Sequence, residues 1–222
     1  MKDAIYQRHT VRRFDGAPLT DTEVESLRSR VSMLNSQYGL AIKLVVSDES
    51  PLNLMGKVFM GGDGIPAYFV LAADDSVPDK DLLLGYASAD LMLYAQTIGL
   101  NTWWIGGTFN RKYVTAIEPT KYIPGIVAVG HGLTQGVPHK SKSPDKVSSY
   151  EGDGSAVPQW FIDGVEAALL APTALNRQAF KISGNGNKVS LTYAGGPLSD
   201  VDKGIVKYFF ELGAGKDNFE WA

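Results

Sequence analysis

The chain has 222 residues, no cysteine, three histidines, and a net charge of -3 from 21 Lys and Arg against 24 Asp and Glu. These numbers exclude disulfides and thiolate chemistry, give no metal-ligand spacing, and leave no broad basic face for a nucleic acid. No apolar run is long enough to span a bilayer and the first residues carry no apolar leader, so a cytoplasmic protein with no membrane contact is expected.

Arg8, His9, Arg12 and Arg13 stand around Thr10 in the run Arg8 to Phe14. By itself the run reads either as a solvated basic arm or as a cradle for phosphate, whose oxygens accept from arginine forks, a hydroxyl and backbone N–H groups. Thr20 with Glu23 forms a capping-box pattern, and Val24, Leu27, Val31 and Leu34 follow on one helical face. Residues 41–47 and 67–73 read as strands, the second wholly apolar and therefore central. Leu54 to Pro66 reads as a loop rich in Gly and Met, with no strand and helix around Met60 to Gly64 to make a dinucleotide fingerprint. Leu82 to Ile98 is apolar or small nearly all round and predicts a buried central helix, with 101–107 as its exit. Trp103 and Trp104 are assigned to core packing.

Residues 126–129 predict a further buried strand. The polar stretch 139–158 reads as a linker. Pro158 then opens a helix through Leu169, 179–183 and 188–193 form a hairpin across 184–187, and Ser199 with Asp202 caps a last helix from about 201 to 212.

The two parts repeat. Ser32 to Gln37 and Thr173 to Gln178 both spell hydroxyl, two residues, Asn, one residue, Gln, and each precedes strand, strand, long apolar helix and a glycine and aromatic exit. The expectation is two related halves, 1–152 and 153–222, about an approximate two-fold axis.

Four of these segments together resemble the FMN-dependent nitroreductase family. RHTVRRF at 8–14 resembles its phosphate anchor, APTALNRQAF at 171–180 its Asn and Gln loop, and GLNTWWIGG at 99–107 its flavin-edge segment. IPGIVAVGHG at 123–132, followed by KSKSP at 140–144, resembles its late strand and basic segment. The resemblance implies an α+β fold, an antiparallel-rich central sheet flanked by helices. The family places its Asn loop before the central helix, and family dimers take that loop from the partner subunit. Here the better copy follows the basic segment, so the chain is similar to a smaller group of fused pseudo-dimers in which one chain holds one complete FMN site. A monomer then suffices, with further association open.

The resemblance also implies the site. Arg8, His9, Thr10 and Arg12 would bind phosphate and ribityl, and Arg13 falls outside the match. Lys142, with Lys140 as a neighbour, would add a second cation at the phosphate. Thr173, Leu175 and Asn176 would lie along the flavin, and the backbone N–H groups of Gly106 and Gly107 would face N5. Lys57 is a candidate for the pyrimidine end. No catalytic side chain is implied, since the cofactor carries the chemistry. The implied activity is ping-pong hydride transfer from NADH or NADPH through FMN to a small-molecule electron acceptor, a nitroaromatic, quinone or similar compound. The alternatives are a flavin-binding protein without reductase turnover, which sequesters or modifies the flavin, and a phosphate-ligand module with no flavin.

Overall fold

Thr20 closes the capping box the sequence predicts: its Oγ1 accepts from Glu23 N, and the Glu23 carboxylate accepts from Thr20 N at 2.7 Å. In the computed structural model, which describes residues 1–47, 49–138, 140–152 and 156–222, this cap starts the second helix. His139, part of the expected linker and the first residue beyond the expected boundary at 152 lie outside the described residues.

The order is α1 (Lys2–Gln7), α2 (Asp21–Tyr38), β1 (Lys43–Val46), α3 (Leu54–Val58), β2 (Ala67–Ala73), α4 (Lys80–Thr97), β3 (Asn101–Ile105), α5 (Arg111–Ile117) and β4 (Tyr122–Gly130). Then come α6 (Pro144–Val147), β5 (Ser148–Glu151), α7 (Gln159–Leu169), β6 (Phe180–Asn185), β7 (Lys188–Tyr193), α8 (Ser199–Ala214) and β8 (Glu220–Trp221). Leu27, Val31 and Leu34 bury the predicted stripe of α2, and Gly39 ends that helix in the left-handed region at φ 66°, which costs glycine little.

The first sheet is antiparallel throughout, in the order β1-β2-β4-β3. All seven residues of β2 are buried, as expected for a strand covered on both faces. Residues 101–105, expected as a helix exit, are instead an edge strand, with Asn101 opposite Gly130 and Ile105 opposite Ile126. Their β-branched and aromatic side chains suit a pleated surface that feeds two cores. One face of this sheet packs on α4 and the larger core, while Tyr68, Val70, Trp103, Ile105 and Ile126 join a second core with Val114 of α5.

The second sheet has the order β5-β6-β7-β8, with β6 and β7 antiparallel and the outer pairs parallel. The stretch expected to be a linker therefore contains α6 and β5. An edge strand tolerates polar residues, and only Tyr150 needs a packing partner, which it finds in Phe161 at 5.1 Å between ring centroids. β5 precedes the expected boundary at 152 yet pairs with β6.

Ser199 does not cap α8. It is the first helical residue, and Leu198 holds the cap position in the left-handed region. Asp202 turns away from the helix end and accepts instead from Ala174 N at 2.9 Å and Tyr193 Oη at 2.7 Å. Between the expected halves, α4 and α8 pack closely and reciprocally. A Cβ on Gly85 would strike the Val201 carbonyl, and one on Gly204 would strike the Leu82 carbonyl. Each glycine thus meets the carbonyl three residues before its counterpart. Both helices also start from a left-handed residue six positions before that glycine, Asp79 and Leu198. Tyr86 of α4 donates to Glu211 of α8, and Tyr208 of α8 donates to Asp90 of α4.

Candidate functional site

Arg8 follows the short helix α1, and its Nε is fully buried with no hydrogen-bond partner among the described residues. Burial draws its pKa from the usual arginine value down to about 10. A guanidinium only 3% exposed and without an anion is an unmet demand for one. Beside it the chain runs along the edge of β3: Thr10 bridges Thr102, and Val11 N donates to Thr102 O at 3.1 Å. Thr102 Oγ1 is buried without a partner as well. The stretch 132–136 covers this edge, since a Cβ on Gly136 would meet His9 Cβ and Thr10 O. His9 and Thr10 are half-buried. Arg12 is exposed and lies over the Trp103 ring at 5.7 Å from its centroid, while Trp103 itself is buried in the second core. Trp104 packs against the larger core and donates from Nε1 to Ser88 Oγ at 3.2 Å.

β3 delivers Gly106 and Gly107 at its end. Neither N–H makes a hydrogen bond among the described residues. A Cβ on Gly106 would fall 2.6 Å from Leu198 Cδ1, so this glycine answers to packing at the start of α8; Gly107 has open space around it. Next to them, Gly56 of α3 lies against the Thr108 carbonyl with no room for a side chain. That contact seats α3 beside the flavin-edge segment. A cleft of about 460 Å³ opens nearby, lined by Arg13, Ser50, Lys57, Gly61, Gly62, Asp63 and Gly64. Arg13, outside the sequence match, and Lys57 thus face one cavity.

The loop 173–178 holds three of the five non-glycine residues with positive φ among the described residues. Leu175, Asn176 and Gln178 have φ of 53°, 54° and 45°, and left-handed backbone is costly for residues with a Cβ. Hydrogen bonds hold it there. Gln178 N donates to Thr173 Oγ1, Gln178 Nε2 donates to Asn176 Oδ1 and Lys140 O, and Asn176 Nδ2 donates to Lys140 O at 2.8 Å. Lys142 donates from N to Gln178 Oε1 and from Nζ to Gln178 O. The anchoring carboxylate, Asp202, has its pKa raised by burial against the opposing pull of Tyr193 and the Ala174 N–H. The outcome is a rigid loop that projects Leu175 into solvent, 92% exposed.

The structure therefore joins Lys140 and Lys142 to the Thr173 to Asn176 loop through their backbones and through Gln178. It joins the Arg8 to Arg12 run to β3 as a separate group, through Thr10 and Val11 at Thr102. The Asn176 amide is engaged with Lys140 and Gln178. Sequence reasoning missed Gln178 and Leu198, although Gln178 was the last letter of the repeated pattern, and it gave Asp202 to the helix cap instead of to this loop. The earlier copy behaves differently: Asn35 closes on Ile42, donating to its carbonyl and accepting from its N–H. Among the described residues no group of acids and histidines could hold a metal ion, and no helix is long and apolar enough to cross a membrane.

This fold is similar to that of solved nitroreductases. A putative nitroreductase from Thermotoga maritima superposes with a TM-score of 0.65 at 21% identity, covering 97% of this chain and 84% of that one. A nitroreductase-like protein from Streptococcus mutans gives 0.54 at 18% identity, over 65% and 94% of the two chains. A putative nitroreductase from Desulfovibrio desulfuricans, solved in complex with FMN, gives 0.53 at 17% identity, over 70% and 96%. No curated protein matches the chain. The sequence profile described as "Putative TM nitroreductase" matches residues 1–214, and the chain belongs to that nitroreductase family.

Proposed function

We propose that the protein is an FMN-dependent oxidoreductase that takes hydride from NADH or NADPH and passes it to a small conjugated acceptor such as a nitroaromatic or quinone, in the cytoplasm. Bound FMN would supply the hydride chemistry at its N5. The observation that carries this reading is Arg8, a buried guanidinium without an anion among the described residues, set in a nitroreductase fold two residues before Thr10, whose neighbour Thr102 carries an unpartnered hydroxyl. Phosphate fits that demand, with Arg8, His9 and Thr10 as its donors and Arg12 at the ribityl end.

The remaining residues bind and orient. The Gly106 and Gly107 N–H groups are free to donate toward the flavin edge, and Gly107 leaves room for a planar ring to approach. Thr173, Leu175 and Asn176 form the facing wall, where the exposed Leu175 excludes water from the ring. Lys140 supplies an exposed cation; the Lys142 ammonium, donating once to Gln178 O, keeps further protons for the phosphate.

We further propose one such site per chain, formed between the halves 1–152 and 153–222, so that a monomer suffices. The reciprocal glycine contact of α4 and α8 supports the fused-dimer reading. The Asn35 clamp supports a second pseudo-site that binds no flavin. The decisive experiment is anaerobic addition of NADH or NADPH to FMN-loaded protein. Bleaching of the flavin band near ~450 nm is expected with at least one donor. A flavin that stays oxidised with both would leave a flavin-binding protein without reductase turnover.

A further inference from the structure

The cleft beside α3 combines groups that suit a nucleotide. Arg13 and Lys57 both line it, and neither forms an ion pair among the described residues, although the Asp63 carboxylate lines the same cavity. Elsewhere lysines near acids pair with them, as Lys43 does with Glu118 and Lys121 with Asp74. Two unquenched cations facing one space of about 460 Å³ describe a seat for a phosphorylated ligand. Asp63 and Ser50, lining the same space, suit sugar hydroxyls. Phe59 is not one of the lining residues, but it stands two positions before Gly61 with its ring 75% exposed and free for a base to stack on.

We infer that this cleft holds the adenosine-phosphate end of the dinucleotide hydride donor, an inference that rests on the reductase reading above. Its position favours this occupant. Lys57 belongs to α3, and α3 is fixed through Gly56 to Thr108, one residue beyond the Gly106 and Gly107 segment where the nicotinamide must deliver hydride. A donor with its nicotinamide there has α3 along its path. The flavin phosphate has separate donors at Arg8 and Thr10, so the cations of the cleft address a second anion. Phosphate in the cleft comes either from the pyrophosphate, common to both donors, or from the 2′-phosphate that only NADPH carries.

The test uses FMN-loaded protein with Arg13→Ala, Lys57→Ala and Phe59→Ala, all at exposed side chains outside the cores. Arg13→Ala should raise the donor KM roughly tenfold, the size of one lost charge-assisted contact, with kcat and FMN affinity unchanged, and Lys57→Ala should raise the donor KM by a similar factor. Phe59→Ala should raise the same KM less. A rise for NADPH alone assigns the 2′-phosphate, and an equal rise for NADH assigns the pyrophosphate. Unchanged KM for both donors, or loss of FMN affinity in its place, overturns the inference. If neither donor bleaches the flavin, the reductase reading fails first and takes the donor assignment with it. Titration with adenosine 2′,5′-bisphosphate then asks independently whether the cleft is a nucleotide site: binding that Arg13→Ala abolishes keeps that part, and no binding rejects it.

Discussion

Arg8 and Leu175 both stand where an isolated residue of their kind would not stay. Removing a guanidinium from water without a partner costs several kcal/mol, and the lowered pKa of Arg8 has the sign of that cost. Arg8→Met should therefore leave the flavin-free protein as stable as the wild type or more so, while FMN affinity falls by ~1 to 3 kcal/mol. Thermal melts with and without FMN, beside a fluorescence titration of the flavin, check both halves; a large loss of stability without flavin would show that Arg8 is a structural residue. Leu175 carries the opposite test. With φ at 53° and its side chain in solvent, Leu175→Gly should stabilise the fold by ~1 kcal/mol in chemical denaturation. The cation cluster around Thr10 was legible in the sequence because residue types announce charge. The left-handed backbone at Leu175 and Gln178 was not, since hydrogen bonds to Lys140 and Asp202, remote along the chain, impose it against local preference.

Elements were legible where one face is buried and obscure where an edge is exposed. The stripe of α2, the apolar β2 and the all-round burial of α4 followed from periodicity. β3 and β5 did not, because an edge strand needs no alternation and its residues pass for loop. The Ser199 cap failed for a different reason: the buried Asp202 carboxylate takes two part-buried donors in the loop and hairpin rather than turning to the helix end. Asp202→Ala should thus cost ~1 to 3 kcal/mol and loosen the 173–178 loop, read as lower FMN affinity together with a lower melting temperature. Loss of stability with FMN affinity intact would separate the loop from the site. At the α4 and α8 contact, Gly85→Ala or Gly204→Ala forces a methyl group into a facing carbonyl. Each should cost at least ~1 to 3 kcal/mol in equilibrium denaturation, and the double variant should depart from the sum, since both act on one interface.

On the scale of the whole molecule, the pseudo-dimer reading predicts one FMN per chain, bound by a monomer. Cofactor extraction with sedimentation analysis checks it; two FMN per chain, or flavin bound only in a dimer, would reject it. The repeat is also written at the two long helices. Pro78, Asp81, Leu82 and Gly85 recur in the same spacing as Pro197, Asp200, Val201 and Gly204, so the start of each long helix is written twice. The match of Ser32 to Gln37 with Thr173 to Gln178 was easier to see and less informative, because Asn35 and Asn176 have come to do different work.

The reciprocal contact at Gly85 and Gly204 also has a genetic side. In a homodimer one codon sets both glycines of such a contact, and any change strikes twice. In this single chain two codons set them, each exposed to mutation alone, while neither glycine can change without its opposite backbone giving way. The inter-helix seam is held at two loci, whereas the surfaces on either side of it are free to change independently.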